Sequence, residues 1–203
     1  ELRSGKLLKR RMETHPLNPF LPKSARALML GTFPPKREKW CMDFFYPNAI
    51  NDMWRIFGLA FFGERDFFWD APAKRFRKDK IAEFLERAGI ALYDTAAAVN
   101  RLKDNASDNF LEIVERTDLA ALLAQIPACK AVVCTGAKAA ETAAEAMGCR
   151  APKQGEMEKI NFADRDLKFY RMPSSSRAYP MKLEKKAEIY SAMFGELGFP
   201  VLK

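Results

Sequence analysis

Histidine and paired cysteines are the scarcest chemistry-bearing groups in this chain of 203 residues. There is one histidine, His15, and the four cysteines at positions 41, 129, 134 and 149 form no Cys-x-x-Cys pair. Zinc and iron–sulfur sites usually draw on such pairs, so we expect no bound metal. A Ser-His-Asp or Cys-His mechanism would have to recruit His15 from a proline-rich segment, which disfavours both.

Glycine-rich phosphate loops and long apolar runs are also missing. The sequence has no G-x-G-x-x-G after its first strand-like run and no G-x-x-x-x-G-K-[ST], which argues against dinucleotide and P-loop nucleotide binding. We therefore expect no cofactor. No apolar run reaches the roughly 18 residues of a membrane-spanning helix. The first residues, ELRSGKLLKRRMETHP, lack the apolar core of a signal peptide, so we expect a cytoplasmic protein.

Positive charge is abundant and unevenly placed. The formal net charge is +8, and residues 1–40 hold ten Lys and Arg against three Asp and Glu. A second basic cluster comprises Lys74, Arg75, Arg77, Lys78 and Lys80. This balance points toward a polyanionic partner, although each cluster alone is equally well explained as a solvated surface.

Four apolar runs alternate with helical patterns along the chain. The runs ARALMLGTF (25–33), IALYDTAAAV (90–99), KAVVCTGA (130–137) and LKFYRMPSSS (167–176) each end in small or polar residues. Helical apolar spacing covers residues 81–88, which Gly89 closes, and residues 119–126 behind Thr117–Asp118; it recurs at 137–147 and 183–194. This alternation predicts a parallel sheet with helices on both faces.

The chain divides into a short arm and one domain. Residues 1–14 are charged without clear periodicity, so we predict a basic N-terminal arm, either mobile or a helix docked from outside. HPLNPFLP (15–22) has three prolines and must be extended. Residues 15–203 then form a single α/β domain. No apolar patch is obvious, and we expect a monomer.

The ends of the four predicted strands carry the candidate chemistry, because ligands of such sheets bind beyond the carboxyl ends of the strands. Aromatic residues of the first loop could clamp a planar ring, Asp94 could accept a ring N–H, and Asn51 or Asn48 could orient water. The run PSSSR (173–177) suits a phosphodiester. The alternatives are that the aromatics are core, that SSSR is a turn capping the last helix, and that Asp94 only supports the next loop.

Four motifs in order give the chain a resemblance. GTFPP, FFYPNAINDMW, TGAKA and MPSSSRA, each at or behind a strand end, resemble the uracil-DNA glycosylase superfamily, nearest its hypoxanthine (deoxyinosine) glycosylase-like branch. That resemblance implies a three-layer αβα sandwich with a central four-stranded parallel sheet. It further implies a monofunctional DNA glycosylase of base-excision repair, which flips a deaminated base (uracil or hypoxanthine) from DNA and hydrolyses its N-glycosidic bond without metal.

The resemblance also assigns roles residue by residue. Asn51 aligns with the catalytic asparagine of the branch, and Asp94 with a residue that reads the base edge. The remaining members of the predicted site fall into two groups: a base pocket of Gly31, Thr32, Phe33 and either Phe44 or Phe45, and a DNA contact surface of Lys36, Arg37, Lys39, Ser174, Ser175, Ser176 and Arg177. Arg101 and Asn105, in NRLKDNASDN (100–109), are candidates for the same wall.

Two departures from the superfamily pattern keep other functions open. Many relatives have an Asp in the first loop, which reads TFPP here, and a His opening the last motif, where Met172 stands. Catalysis would then rest on positioning and backbone dipoles. The alternatives are a non-catalytic protein of the same fold that binds damaged or single-stranded nucleic acid, and an unrelated small-molecule enzyme.

Overall fold

The computed structural model describes residues 11–103 and 110–202. Over these residues the chain forms ten strands and five α-helices, with a short 3-10 helix at Arg37–Lys39. In chain order the elements are β1 (Met12–Thr14), β2 (Ala27–Gly31), α1 (Met53–Phe62), β3 (Trp69–Asp70), β4 (Arg75–Phe76), α2 (Lys78–Ala88), β5 (Ile90–Asp94), β6 (Ala96–Arg101), β7 (Leu111–Arg116), α3 (Leu119–Ala124), β8 (Ala131–Thr135), α4 (Ala137–Met147), β9 (Met157–Phe162), β10 (Arg165–Met172) and α5 (Leu183–Glu196).

The central sheet is mixed and has five strands in the order β5-β2-β8-β10-β9. The four strands predicted from the apolar runs are present and pair in parallel, but β9 adds an antiparallel edge to β10. The predicted four-stranded parallel sheet is therefore wrong in strand number and direction at this edge. The added hairpin turns through Ala163 and Asp164, whose φ angles of 52° and 55° suit a type I′ turn.

Helices cover both faces of this sheet, and the central strands therefore bury the side chains on both of their faces. Met29 of β2 packs into a core with residues of α1, α2 and α5. Leu28 and Leu30 of the same strand face the opposite way, into a core with α3 and α4. Alternate residues of a strand point to opposite faces, so a continuous apolar run is the pattern such a strand needs.

The predicted helices are confirmed, and their ends follow local chemistry. Gly89 ends α2 and Gly148 ends α4, both in the left-handed conformation that glycine adopts without strain. Asp118 begins α3 by accepting a hydrogen bond from the Ala121 N–H. The N-cap residue of the last helix is Lys182, so the serine run at 174–176 does not cap it.

A second sheet joins the start of the domain to its middle. The run predicted as one strand over 90–99 breaks after Asp94, and β6 pairs with β1 and β7 in a three-stranded antiparallel sheet. Three residues of the predicted arm, Met12–Thr14, thus form a strand; residues 1–10 lie outside the described part. Within residues 11–103 and 110–202, no helix is long and apolar enough to cross a membrane.

Candidate functional site

The four parallel strands bring their carboxyl ends together, as the sequence predicted. Gly31 lies opposite Asp94 in the β2–β5 register, and Thr135 lies opposite Met172 between β8 and β10. The loops that follow are joined across the sheet, since the Thr95 N–H donates to the Gly31 carbonyl at 2.8 Å. This edge carries all the polar groups described below.

Gly31 and Asp94 are in close approach at the first loop. A Cβ at Gly31 would lie 2.6 Å from Asp94 Oδ1 and 3.4 Å from the Tyr46 hydroxyl, so only glycine fits there without displacing the carboxylate. Asp94 is buried, and Thr117 fixes its backbone by donating from its hydroxyl to the Asp94 carbonyl at 2.6 Å. The carboxylate that the sequence singled out is thus inside the site and held in place.

His15, which sequence reasoning set aside, lies in the site. Its Nε2 is 2.7 Å from Asp94 Oδ2, and its side chain is only 3% exposed. The backbone N–H of His15 donates to the Ala97 carbonyl at 2.8 Å, which continues the pairing of β1 with β6. That pairing and the bridge between Phe20 and Leu92 bring residue 15 to residue 94; the sequence shows only that the chain's single histidine opens an extended segment.

The predicted aromatic residues Phe44 and Phe45 both lie in the main core, 6% and 3% exposed. The Phe45 ring centre lies 6.2 Å from that of His15 and 6.3 Å from that of Tyr93, whereas Phe44 stacks on Trp54. Phe33 meets the His15 ring edge-on at 5.3 Å. Thr32 beside it is buried. Of the two candidates for stacking on a base, the geometry therefore favours Phe45.

The side-chain oxygen of Asn51 is bonded to the first residue of helix α1. It accepts from the Met53 N–H at 2.9 Å, and the Asn51 N–H donates to the Asn48 carbonyl at 2.9 Å. Arg55 closes the same turn by donating to the carbonyls of Ala49 and Asn51. Burial, followed by the charge of Arg177, lowers the pKa of Arg55. Asn51 is consequently rigid, and its amide nitrogen is the group that can meet a ligand.

A buried ion pair joins the turn at residues 48–52, which contains Asn51, to the serine loop at residues 173–177. Lys186, which is fully buried, donates to Asp52 Oδ2 at 3.1 Å and to the Ser176 carbonyl at 2.8 Å. The other oxygen of Asp52 lies 3.3 Å from Arg177, and the Asp52 N–H donates to the Ser175 carbonyl at 2.9 Å. No local pattern marks Lys186, which lies in a helix with an amphipathic sequence.

The serine loop exposes only part of the predicted DNA contact surface. Ser176 is exposed and Ser174 is half-buried, and each hydroxyl accepts from the backbone N–H two residues later. Ser175 is 3% exposed, so its side chain lies inside the fold. Arg177 has a side chain 46% exposed while it pairs with Asp52. We therefore retain Ser174, Ser176 and Arg177 as surface candidates.

Two basic residues of the first loop, Lys36 and Arg37, border a cavity of about 320 Å³ that Phe33–Pro35 also line. Arg37 and Lys39 are exposed, and the Arg37 guanidinium lies 4.4 Å from the Trp40 ring centre. Arg101, a predicted neighbour, donates to the Pro34 carbonyl at 2.7 Å and to Glu13 at 2.9 Å. Lining residues include Arg11, Glu13, Phe33, Lys36, Trp40 and Arg101. Asn105 lies outside the described residues.

Metal ligation has no support in the described part of the chain, where no group of three or more His, Cys, Asp or Glu side chains is placed to hold an ion. Tyr93 stays protonated beside the site, since burial, followed by the charge of Asp94, raises its pKa. The arrangement brings the carboxylate of Asp94, the imidazole of His15 and the ring of Phe45 together, with the Asn51 amide on the neighbouring loop before α1. These groups can bind a planar ring with an N–H edge.

Comparison with known proteins supports the fold. No protein-family model matches the chain, and no curated protein matches it. The solution NMR structure of a protein from Methanosarcina acetivorans, described as a "putative Uracil DNA glycosylase", is similar with a TM-score of 0.61 and 22% sequence identity. The similarity covers 93% of this chain and 99% of that one. The chain therefore has the fold of that protein over nearly its whole length.

Proposed function

We propose that this protein is a monofunctional DNA glycosylase that binds DNA containing a deaminated base, uracil or hypoxanthine, and hydrolyses its N-glycosidic bond in base-excision repair. The observation that carries the proposal is the convergence of Gly31, Phe45 and Asp94 at one sheet edge, next to exposed cations. A fold shared with a protein described as a uracil DNA glycosylase candidate supports the same reading.

The base would enter against Phe45 and be read by Asp94. Uracil N3–H and hypoxanthine N1–H are both donors next to a carbonyl, and a carboxylate accepts from either. Adenine offers an unprotonated ring nitrogen at this edge, which the carboxylate would repel. A backbone N–H of the Gly31–Thr32 segment would donate to the neighbouring carbonyl of the base.

Asn51 would position the attacking water through its amide nitrogen. Because its oxygen accepts from the Met53 N–H, the amide cannot rotate without breaking that bond, and this restraint favours positioning over proton transfer. Uracil and hypoxanthine leave as delocalised anions, so the reaction needs less help from a general acid.

Phosphate contacts would come from both sides of the proposed base-binding site. Lys36, Arg37 and Lys39 border the first loop, and Arg177 lies beside Ser176 on the other. Since Lys138 donates to the Leu111 carbonyl, we do not assign it a covalent role, and a hydrolytic route without a Schiff base follows. A monomer would suffice for all these contacts.

A non-catalytic binding protein is the second candidate, and one observation favours it. The Asn51 oxygen already accepts from the Met53 N–H, which leaves water with one amide partner instead of two. A protein of this kind would retain damaged or single-stranded DNA without cutting it. Its affinity would fall steeply with salt, as for any phosphate-binding surface.

Strand cleavage distinguishes the two. Labelled duplexes carrying one deoxyuridine, deoxyinosine or deoxyxanthosine are incubated with the protein, treated with hot alkali and separated on a denaturing gel. We expect a cleaved band that Asn51→Ala abolishes and that Asn161→Ala, an exposed asparagine of the β9–β10 hairpin, leaves unchanged. Retention of the DNA without any band would favour the binding protein, and no binding at all would refute both.

A further inference from the structure

The imidazole of His15 is a permanent part of the candidate site. Its segment is tied down on both sides, by the β1–β6 pairing before it and by the reciprocal bonds of Phe20 with Leu92, at 2.9 and 3.0 Å, after it. A mobile plug would lack such anchors. The contact between His15 and Asp94 therefore belongs to the working form of the site.

Both charge states of His15 are accommodated. Its Nδ1 is 3.1 Å from the Leu17 N–H nitrogen and 3.1 Å from the Leu17 carbonyl oxygen. The neutral ring can accept from the former, and the protonated ring can donate to the latter. In either state Nε2–H donates to Asp94 Oδ2 at 2.7 Å, so gain or loss of the Nδ1 proton keeps the ring in place.

The two oxygens of Asp94 consequently have different tasks. Oδ2 is engaged by His15, while Oδ1 lies against the Cα of Gly31 and is the oxygen left for a ligand. The Tyr93 ring lies 4.5 Å from the imidazole, and its protonated hydroxyl adds no charge. Among the residues that the structure describes, the charged groups nearest to this pair are Arg101, 5.7 Å from the Phe33 ring, and its partner Glu13.

In a protein that excises bases, as proposed above, the negative charge of Asp94 presents an electrostatic difficulty, and the inference below rests on that proposed function. An ionised carboxylate at the edge of the base accepts its N–H but opposes the negative charge that the base acquires as it leaves. A protonated imidazole on the far oxygen offsets that charge without occupying the near one. We infer that His15 is a positioning residue that fixes Asp94 and, in its protonated form, compensates the carboxylate while the base departs.

The test separates positioning from charge. His15→Gln keeps a side-chain N–H donor for Asp94 but cannot be protonated, and Asp94→Asn removes the carboxylate. Single-turnover excision is measured against pH for the wild type, for both single variants and for the double variant, on the best of the three duplexes. Thermal unfolding confirms that each variant is folded, and Leu17→Ala, from the same segment, controls for general loosening.

We expect His15→Gln to bind DNA normally and to excise about 10- to 100-fold more slowly, a loss in the rate step rather than in binding. The pH profile of His15→Gln should differ from that of the wild type, because glutamine cannot be protonated. Asp94→Asn should speed the His15→Gln background, since no charge then needs compensation, although it slows the wild type.

Two results would overturn the inference. One is a His15→Gln protein with the wild-type rate and pH profile, and the other is a double variant no faster than His15→Gln. A wild-type protein that excises none of the three bases would overturn the proposed function and this inference together. An active wild type with insensitive variants would overturn this inference alone.

Discussion

Replacing Asp52 by alanine is expected to cost more stability than any other single change at the site. Lys186 is fully buried and has Asp52 as its ionic partner at 3.1 Å, where the attraction is about 5 kcal/mol at an effective dielectric constant of about 20. Asp52→Ala leaves the ammonium with the Ser176 carbonyl as its remaining acceptor. Removing one partner of such a buried pair costs about 3–5 kcal/mol of unfolding free energy.

The same network predicts an order of effects. Lys186→Met leaves Asp52 paired with Arg177 and should cost about 1–3 kcal/mol, the penalty of a buried group that loses one partner. Arg177→Ala should cost at most about 1 kcal/mol, because the Arg177 side chain is 46% exposed and its bridge is screened. Lys185→Met, a neighbouring lysine 61% exposed, is the control and should change stability by less than about 0.5 kcal/mol.

Urea unfolding followed by tryptophan fluorescence measures these differences as shifts of the midpoint at constant slope. The expected order of loss is Asp52→Ala, then Lys186→Met, then Arg177→Ala, then Lys185→Met. An Asp52→Ala protein within about 1 kcal/mol of the Lys185→Met control would refute the reasoning. So would a reversal of the first two, since it would mean that the lysine finds another partner.

Three further predictions follow from the contacts described. Gly31→Ala should displace Asp94, lower the free energy of unfolding in urea by about 1–3 kcal/mol and remove most of the excision activity. The control is Gly195→Ala, where a Cβ would lie 3.6 Å from its nearest neighbour; it should leave stability unchanged or raise it slightly. Arg37→Ala should lower the slope of log affinity against log salt by about 1 in DNA titrations; an unchanged slope would remove it from the phosphate contacts. Burial raises the pKa of Tyr170 to about 12 from 10.0, so the stabilisation that its neutral hydroxyl contributes is present below about pH 10 and is lost as pH rises through 12. In melts recorded against pH, the stability of Tyr170→Phe should therefore fall less than that of the wild type over this window.

Local patterns predicted the core of the fold because each had a physical cause within a few residues. The apolar runs had to be buried on both faces, and Gly89 and Asp118 ended or began helices by their own backbone preferences. The β9–β10 hairpin escaped notice since its turn is Ala163–Asp164 in place of a glycine turn. The break at Thr95 lies within an apolar run, where nothing local marks a change of sheet.

Sequence reasoning predicted only those residues of the candidate site that lie at or just after the ends of the parallel strands. Asp94 and Gly31 lie where the parallel register puts them, and Phe45 was one of two named alternatives. His15 and Lys186 were missed because each depends on a partner far along the chain, 79 and 134 residues away. A lone histidine in a proline-rich segment and a lysine in a helix carry no local sign of burial.

Release of the free base is the measurement that tests the central proposal most directly. The protein is mixed in excess with a duplex containing one deoxyuridine or deoxyinosine, and the filtrate is analysed by mass spectrometry for free uracil or hypoxanthine. Our account predicts stoichiometric release of at least one of these bases by the wild type and none by Asn51→Ala. Complete retention of both bases in DNA that the wild type demonstrably binds would contradict it.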